Sequence, residues 1–233
     1  MEAIILAGGL GTRLKSAVGD LPKCLAPVNG KPFLYYLLKN LEENRFSHIV
    51  LALGFKHEMV EKWLQTFATR MKITVMTESE PLGTGGAAKL ALGETAADDV
   101  FILNGDTYFD VFFSEILAFH KNAKSEATLA LKKMYRFDRY GTVEMNTLGR
   151  IIRFNEKQFC ADGLINGGIY ILRKNIFDTF PDKFSMEKDY FEKCVSGKII
   201  SGFAADGYFI DIGVPEDYER AQTDFKNGKY KNV

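Results

Sequence analysis

The chain is poor in cysteine and histidine, holds one tryptophan, and has no excess of either charge. Its three cysteines, Cys24, Cys160 and Cys194, are odd in number and scattered. They lack the paired spacing of a zinc site and form no even disulfide framework, which points to a reducing compartment and to packing roles for all three. The three histidines fall before a strand (His48), at a helix start (His57) and near a helix end (His120), and no catalytic or metal-binding constellation forms around them. Thirty basic side chains balance thirty acidic ones. No global attraction to nucleic acid or to a membrane follows, so any phosphate binding has to be local. Long apolar runs are missing too: "AIILAGG" is broken by glycine far short of the about 20 residues that span a bilayer. No basic leader or cleavage-site pattern accompanies it, so a cytoplasmic protein is expected. No proline- or serine-rich linker, internal repeat or low-complexity stretch divides the chain.

What is present is enough apolar residue for a sizeable core: 46% of 233 positions, which fits one domain better than two. Through the first half, short apolar runs alternate with amphipathic stretches: "AIILA", "PFLYYLLKNLEEN", "HIVLAL", "HEMVEKWLQTFATR", "KITVMTE", "GGAAKLALGE" and "VFILNGD". In the first of the amphipathic stretches Phe33, Leu34, Leu37, Leu38 and Leu41 recur at helical spacing and give one buried face. Continuous apolar strands between helices imply a parallel sheet covered on both faces, with ligands bound beyond the carboxyl ends of the strands. The second half reads differently, as strands "EATLALKKM", "YGTVEMN", "RIIRFNEK" and "LINGGIYILR" with little helix between them. A helical "MEKDYFEKCVS" follows, then "KIISGFAAD" and "YFIDIG" as a strand pair, and a last helix "PEDYERAQTDFKNG" with proline in its first turn. The tail "NGKYKNV" reads as frayed. The expected fold is a Rossmann-like three-layer α/β/α arrangement with a mostly parallel sheet and an added antiparallel layer, one domain over residues 1–233.

Chemistry concentrates behind the strands. Gly8, Gly9 and Gly11 follow the first; they remove side-chain bulk and reach backbone angles closed to other residues, so successive amides can ring a phosphate. Arg13 adds a forked cation and Lys23, in "LPKCLAPV", a point charge. The spacing is neither G-x-G-x-x-G nor G-x-x-x-x-G-K-[ST], so neither a dinucleotide fold turn nor a Walker loop is indicated. On glycine count alone, a structural turn competes on equal terms. Asp106 ends "VFILNGD" and Asp211 ends "YFIDIG"; each alone has a turn or cap as its ordinary explanation. Together the two carboxylates could share one hard cation. Asp110 reads as the cap of the helix beginning at "VFFSEIL". Trp63 reads as core. Tyr135, Phe137 and Tyr140 could border a pocket but belong to no motif.

The ordered set "LAGGLGTRL" and "PK", "PLGTGGA", "LNGD", "FNEK" with "NGGIY", and "FIDIG" followed by "PEDY" resembles the sugar-1-phosphate nucleotidyltransferases, from Met1 to about Tyr218. The resemblance implies attack of a sugar 1-phosphate oxygen on the α-phosphate of a nucleoside triphosphate, expelling pyrophosphate, with positioning and charge neutralisation supplying the catalysis. It assigns Leu6, Ala7, Gly8, Gly9, Gly11, Thr12, Arg13, Gly83 and Thr84 to the nucleotide, with Arg13 and Lys23 acting at the reacting phosphates. Asp106 and Asp211 would hold Mg2+. Glu156 would meet a sugar hydroxyl and Lys157 the sugar phosphate, with Gly141, Asn166 and Gly167 against the sugar ring; the paired glycines Gly167 and Gly168 could equally mark a bulge. Glu187 stands where relatives carry an acidic sugar ligand, with Asp189 able to substitute for it. The nucleotide half would be residues 1–110 and the sugar-phosphate half 111–233. The implied partners are the triphosphate and the sugar 1-phosphate, with no nucleic acid and no membrane; a homo-oligomer is allowed but not required.

The base can be argued from "TESEPLGTGG". Uracil and thymine present one ring N–H between carbonyls, which suits a side-chain amide, whereas guanine presents two adjacent donors that match a carboxylate. Relatives specific for uridylyl or thymidylyl transfer commonly carry glutamine where this chain has Glu78. Glu78 is therefore expected to read guanine and the nucleotide to be GTP, with Glu80 a rival for the task. "EPLGTGGA" resembles guanylyltransferases acting on mannose 1-phosphate or on D-glycero-α-D-manno-heptose 1-phosphate. The short chain, with no residues for an extra C-terminal domain, and "AIILAGGLGTRLKS" resemble the heptose branch, which implies GDP-heptose for a surface polysaccharide. Two other readings stand beside it: UTP or dTTP with glucose 1-phosphate, and a non-catalytic sensor, which would show damaged motifs. Arg13, Lys23, Asp106, Lys157 and Asp211 are all intact.

Overall fold

The protein is described from a computed structural model covering residues 1–9, 11 and 14–230, the side chains of Lys15 and Ser16 excepted. Along the chain, β1 (Glu2–Ala7) leads to the short helix α1 (Lys15–Val18), a 3-10 turn at Lys23–Leu25, a hairpin of β2 (Pro27–Val28) and β3 (Lys31–Pro32), and helix α2 (Phe33–Glu43). β4 (His48–Leu53), α3 (His57–Leu64), β5 (Lys72–Thr77), α4 (Gly83–Leu92) and β6 (Asp99–Asn104) complete the β-α rhythm. The second half runs β7 (Thr107–Phe109), α5 (Phe113–Asn122), β8 (Ala127–Phe137), β9 (Val143–Met145), β10 (Ile151–Phe154) and β11 (Cys160–Arg173). A π-helical segment at Met186–Glu192, β12 (Ile200–Ala205), β13 (Phe209–Asp211) and α6 (Pro215–Lys226) end it.

Every residue of β4, the strand next to the edge strand β5, is buried, because helices cover both faces of the sheet there. Alternate residues of each strand enter different cores. Ile49, Leu51 and Leu53 face α2, α5 and α6, where Phe33, Leu34, Leu37, Leu38, Leu41, Ile116 and Phe225 are buried. Val50 and Ala52 face α4 and the π-helical segment, where Ala88, Ala91, Met186, Tyr190 and Phe191 are buried. This is the three-layer α/β/α arrangement, and the seven-stranded sheet has the order β12-β8-β11-β6-β1-β4-β5. β6, β1, β4 and β5 run parallel, with Ala7 opposite Leu53 and Leu53 opposite Thr77. Their carboxyl ends therefore lie level, and the loops that follow them start side by side.

The antiparallel part is carried by the same sheet rather than by a separate layer. β11 pairs antiparallel with both β6 and β8 and so extends the parallel sheet sideways, while the β9–β10 ribbon, the β7–β13 pair and the β2–β3 hairpin stand apart as two-stranded sheets. Three local expectations are corrected. "KIISGFAAD" and "YFIDIG" do not pair with each other: β12 joins β8 in parallel and β13 joins β7 antiparallel. The turn between them is drawn onto Asp110, whose N–H donates to the Tyr208 carbonyl at 2.8 Å. A Cβ on Gly207 would lie 1.8 Å from the Asp110 carbonyl oxygen, so only glycine fits there. Asp110 accordingly does not cap α5, whose N-cap position is Phe112 without a side-chain cap. The tail is anchored at least to Tyr230, whose ring stacks on Phe225 at 4.5 Å and whose carbonyl accepts from the Tyr108 hydroxyl at 3.1 Å. No helix among the described residues is long and apolar enough to cross a membrane.

Candidate active site

The level strand ends deliver Gly8 and Gly9 after β1, Glu78 after β5, and Gly105 and Asp106 after β6 to one edge of the sheet. There they line a cavity of about 330 Å³ together with Leu6, Ala7, Lys23, Cys24, Pro81, Gly83, Thr84, Ala87, Asn104 and Glu187. The loops lie this close because bulk is missing between them. A Cβ on Gly105 would lie 2.8 Å from the Leu6 carbonyl oxygen, and one on Gly8 would lie 2.7 Å from Glu78 Oε1. Gly105 N–H donates to that Leu6 carbonyl at 2.8 Å, and Glu78 N–H to the Leu53 carbonyl at 2.9 Å, so the loops are tied to the sheet at their roots.

Lys23 rides on the 3-10 turn that begins after Pro22, and its Nζ donates to Asp106 Oδ2 at 2.7 Å. Gly11, at φ +61°, packs over the Lys23 side chain; it does not line the cavity. Asp211 reaches the same neighbourhood through β13: it lies opposite Thr107 of β7, and Ile212 N–H donates to the Asp106 carbonyl at 2.9 Å. Burial, and next the Asp106 charge, raise the Asp211 carboxyl above the usual aspartate range, opposed by Lys23, Arg139 and the Gly213 N–H that donates to Oδ1. Two carboxylates that repel each other favour a cation between them. No cluster of three or more His, Cys, Asp or Glu side chains occurs among the described residues. A metal here would take two carboxylates and fill its remaining positions with phosphate oxygens and water, a donor set that suits Mg2+.

At the same cavity, Glu78 Oε2 accepts from Leu82 N–H at 2.9 Å, across the turn that opens α4. Its rival Glu80 is exposed and does not line the cavity. Glu187 enters from the π-helical segment and its Oε2 accepts from the hydroxyls of Thr84 at 2.6 Å and Ser185 at 3.1 Å. Asp189 is turned away, accepting from Ser185 N–H and Lys193. Burial pushes the Cys24 thiol up to about 12, which leaves it an inert packing group at the cavity wall.

The remaining sequence candidates are not gathered into this cavity. Thr12 and Arg13 lie outside the described residues. Glu156 and Lys157, between β10 and β11, are exposed and make no hydrogen bond or ion pair among the described residues. Gly141 sits beneath the Asn155 carbonyl, where a Cβ would approach to 2.4 Å. Asn166, Gly167 and Gly168 form a bulge in β11: the register with β8 shifts between Asn166 and Tyr170, Gly168 has φ +72°, and Asn166 Oδ1 accepts from Gly168 N–H at 3.0 Å. Tyr135 is exposed, Phe137 is buried, and Tyr140 stacks edge-on against Phe209 under the Arg139 guanidinium, none of them at the cavity. Trp63 is half-buried and packs on Phe67 against the margin of the core. Sequence reasoning passed over Asn104, Gly105, Pro81, Cys24 and Ala87. Asn104 and Gly105 stand inside "LNGD", where the carboxylate of Asp106 has an evident metal role and a backbone-bonded glycine does not.

A model of the nucleotidyl transferase family matches residues 2–228. The chain is 45% identical over 229 residues to a D-glycero-alpha-D-manno-heptose 1-phosphate guanylyltransferase of Aneurinibacillus thermoaerophilus, covering 97% of this chain and 99% of that one. It is 44% identical over 220 residues to the enzyme of the same description from Campylobacter jejuni, covering 94% and 97%. Among solved structures, HddC from Yersinia pseudotuberculosis complexed with GMP-PN superposes with a TM-score of 0.87 at 37% identity, over 96% of this chain and 99% of that chain.

Proposed function

This chain belongs to the nucleotidyl transferase family, and we propose that it transfers the guanylyl group of GTP to D-glycero-α-D-manno-heptose 1-phosphate, forming GDP-heptose and pyrophosphate. The observation that carries this reading is the single cavity in which the glycine turn, Lys23, Asp106, Glu78 and Glu187 meet at the carboxyl ends of the parallel strands. An oxygen of the sugar phosphate attacks the α-phosphorus, the bond from that phosphorus to the oxygen bridging the β-phosphate breaks, and pyrophosphate leaves with the electron pair. The chain need supply no nucleophile; it holds the reactants in line and neutralises charge. The N–H groups of Gly8 and Gly9 donate to phosphate oxygens, and Lys23 meets the growing charge at the α-phosphate. Asp106 and Asp211 would hold Mg2+, which when bound neutralises phosphate oxygens as a Lewis acid. Glu78 offers its carboxylate to the N1 and N2 donors of guanine while remaining tied to Leu82 N–H. Lys157 and Glu187 face the sugar phosphate and the sugar. The three free cysteines suit a cytoplasmic setting, and the product suits polysaccharide assembly.

The test is pyrophosphate release with magnesium, crossing GTP, ATP, CTP, UTP and dTTP with heptose, mannose and glucose 1-phosphates. Turnover confined to GTP with the heptose phosphate is expected. Turnover with mannose 1-phosphate would overturn the sugar, and turnover with UTP or dTTP would overturn the role of Glu78.

A further inference from the structure

Thr84 belongs to the segment that the resemblance assigns to the nucleotide, yet its hydroxyl is bonded, once as donor and once as acceptor, to the other half of the molecule. The Oγ1 hydrogen is donated to Glu187 Oε2 at 2.6 Å, and the oxygen accepts from Met186 N–H at 3.0 Å. Around this pair the two segments are bonded backbone to backbone. Phe184 N–H donates to the Leu82 carbonyl at 3.0 Å, and Gly85 N–H to the Phe184 carbonyl at 3.0 Å. Side-chain bulk has been removed where they touch: a Cβ on Gly83 would lie 2.5 Å from the Phe184 carbonyl oxygen, and one on Gly86 would lie 2.1 Å from the Asp182 carbonyl oxygen. Lys89 of α4 adds bonds to the Phe180 carbonyl at 2.7 Å and to Asp182 at 2.8 Å. Glu78, through Leu82 N–H, and Glu187, through Thr84, are thus the two ends of one continuous bonded unit.

We infer that Thr84 is a positioning residue for the acceptor, not a nucleotide ligand: it fixes the Glu187 carboxylate so that one oxygen is engaged by Thr84 and Ser185 and the other, Oε1, is presented to the sugar. The inference rests on the reading of Glu187 as a sugar contact. A charge-assisted hydrogen bond to a hydroxyl is stronger and shorter than a neutral one, and 2.6 Å is at the short end. Losing it frees the carboxylate to rotate and leaves Met186 N–H without its acceptor. The nucleotide would still find its phosphate turn, Lys23 and Glu78 in place, because none of those bonds passes through the Thr84 hydroxyl.

The experiment compares Thr84→Val, Thr84→Ser, Glu187→Gln and the double variant Thr84→Val/Glu187→Gln in the full chain. It reads KM for the sugar phosphate, Kd for GTP and melting temperature. Thr84→Val should raise the sugar-phosphate KM roughly tenfold or more, the size of one lost charged hydrogen bond, with GTP Kd changed less than about twofold, within a few tenths of a kcal/mol. Thr84→Ser, which keeps the hydroxyl, should restore KM. In the Glu187→Gln background, Thr84→Val should add little, because it acts through Glu187. Additive losses, or a GTP Kd that rises with the sugar-phosphate KM, would overturn the positioning role alone. An unchanged sugar-phosphate KM in Glu187→Gln would instead remove Glu187 as a sugar contact, and the inference with it. Should Thr84→Val fail to fold, a Thr84→Ser protein whose sugar-phosphate KM is raised as far as that of Glu187→Gln overturns the inference.

Discussion

Lys23 and Lys157 are both lysines expected to meet phosphate oxygens, and the fold holds them in opposite ways. Lys23 is mostly covered, at 16% side-chain exposure, seated on a 3-10 turn and bonded to Asp106 at 2.7 Å. Lys157 stands exposed on the connection between β10 and β11 with no hydrogen bond or ion pair among the described residues. The same contrast separates the regions they belong to. Among the described residues, the nucleotide side is built on four strand ends in level register, drawn together at Gly8 and Gly105, where a Cβ would meet Glu78 or the Leu6 carbonyl. Much of the acceptor side hangs from an antiparallel ribbon, and only Glu187 is brought to the shared cavity. A site held before its ligand arrives loses little entropy on binding, whereas one ordered by its ligand loses more. Over the described residues, the triphosphate should therefore meet a more finished surface than the sugar phosphate does.

The sharpest way to break that contrast is to remove each lysine. Lys23→Met should lower kcat about 100- to 1,000-fold, the range for deleting one preorganised charge from a transition state, with GTP still bound in equilibrium dialysis. Next in size, Glu78→Gln should cut kcat/KM for GTP about tenfold, as expected for one poorly matched charged hydrogen bond, and relax base selection in the crossed pyrophosphate assay. The amide oxygen can still accept from Leu82 N–H, so the loop should survive the change. Lys157→Ala should raise the sugar-phosphate KM about tenfold while shifting stability by less than about 0.5 kcal/mol, read from denaturant unfolding. A larger kcat loss in Lys157→Ala than in Lys23→Met would reverse the comparison.

The smallest effect concerns the pole of the sheet away from the cavity. His120 is buried between Thr128 and Asp99, and burial lowers its pKa despite the Asp99 carboxylate. The unfolded chain then binds this proton more readily than the folded one. Its contribution to stability is whole above the unfolded histidine value of about 6.5 and is lost as pH falls through the lower folded value. His120→Asn should flatten that part of the stability profile in urea titrations at pH 5–8 and leave GTP binding unaffected.

How far the sequence was legible follows the same division. The parallel half could be read from local patterns, since "HIVLAL" and "VFILNGD" announce buried strands and the residues behind them had to fall at one edge. The antiparallel half depends on partners distant in the chain. Nothing local in "KIISGFAAD" says that it lies parallel to β8, or that "YFIDIG" leaves it for β7 and so carries Asp211 to Asp106. Asp110 looked like a cap because caps are local; its carbonyl instead faces Gly207, nearly a hundred residues on by count of the chain. Tyr230 looked frayed because lysines and glycine surround it, and only the ring cluster of Tyr36, Tyr108 and Phe225 shows why it is held. Thr84 was legible as part of the nucleotide turn, but the direction of its hydroxyl was not.

The most direct measurement is calorimetric titration of each substrate into the free protein with magnesium present, and of heptose 1-phosphate into its complex with a non-hydrolysable GTP analogue. The nucleotide is expected to bind the free protein, and the sugar phosphate to bind only once the nucleotide is in place. Sugar phosphate binding to the free protein as tightly as to the nucleotide complex would contradict a nucleotide side more finished than the acceptor side.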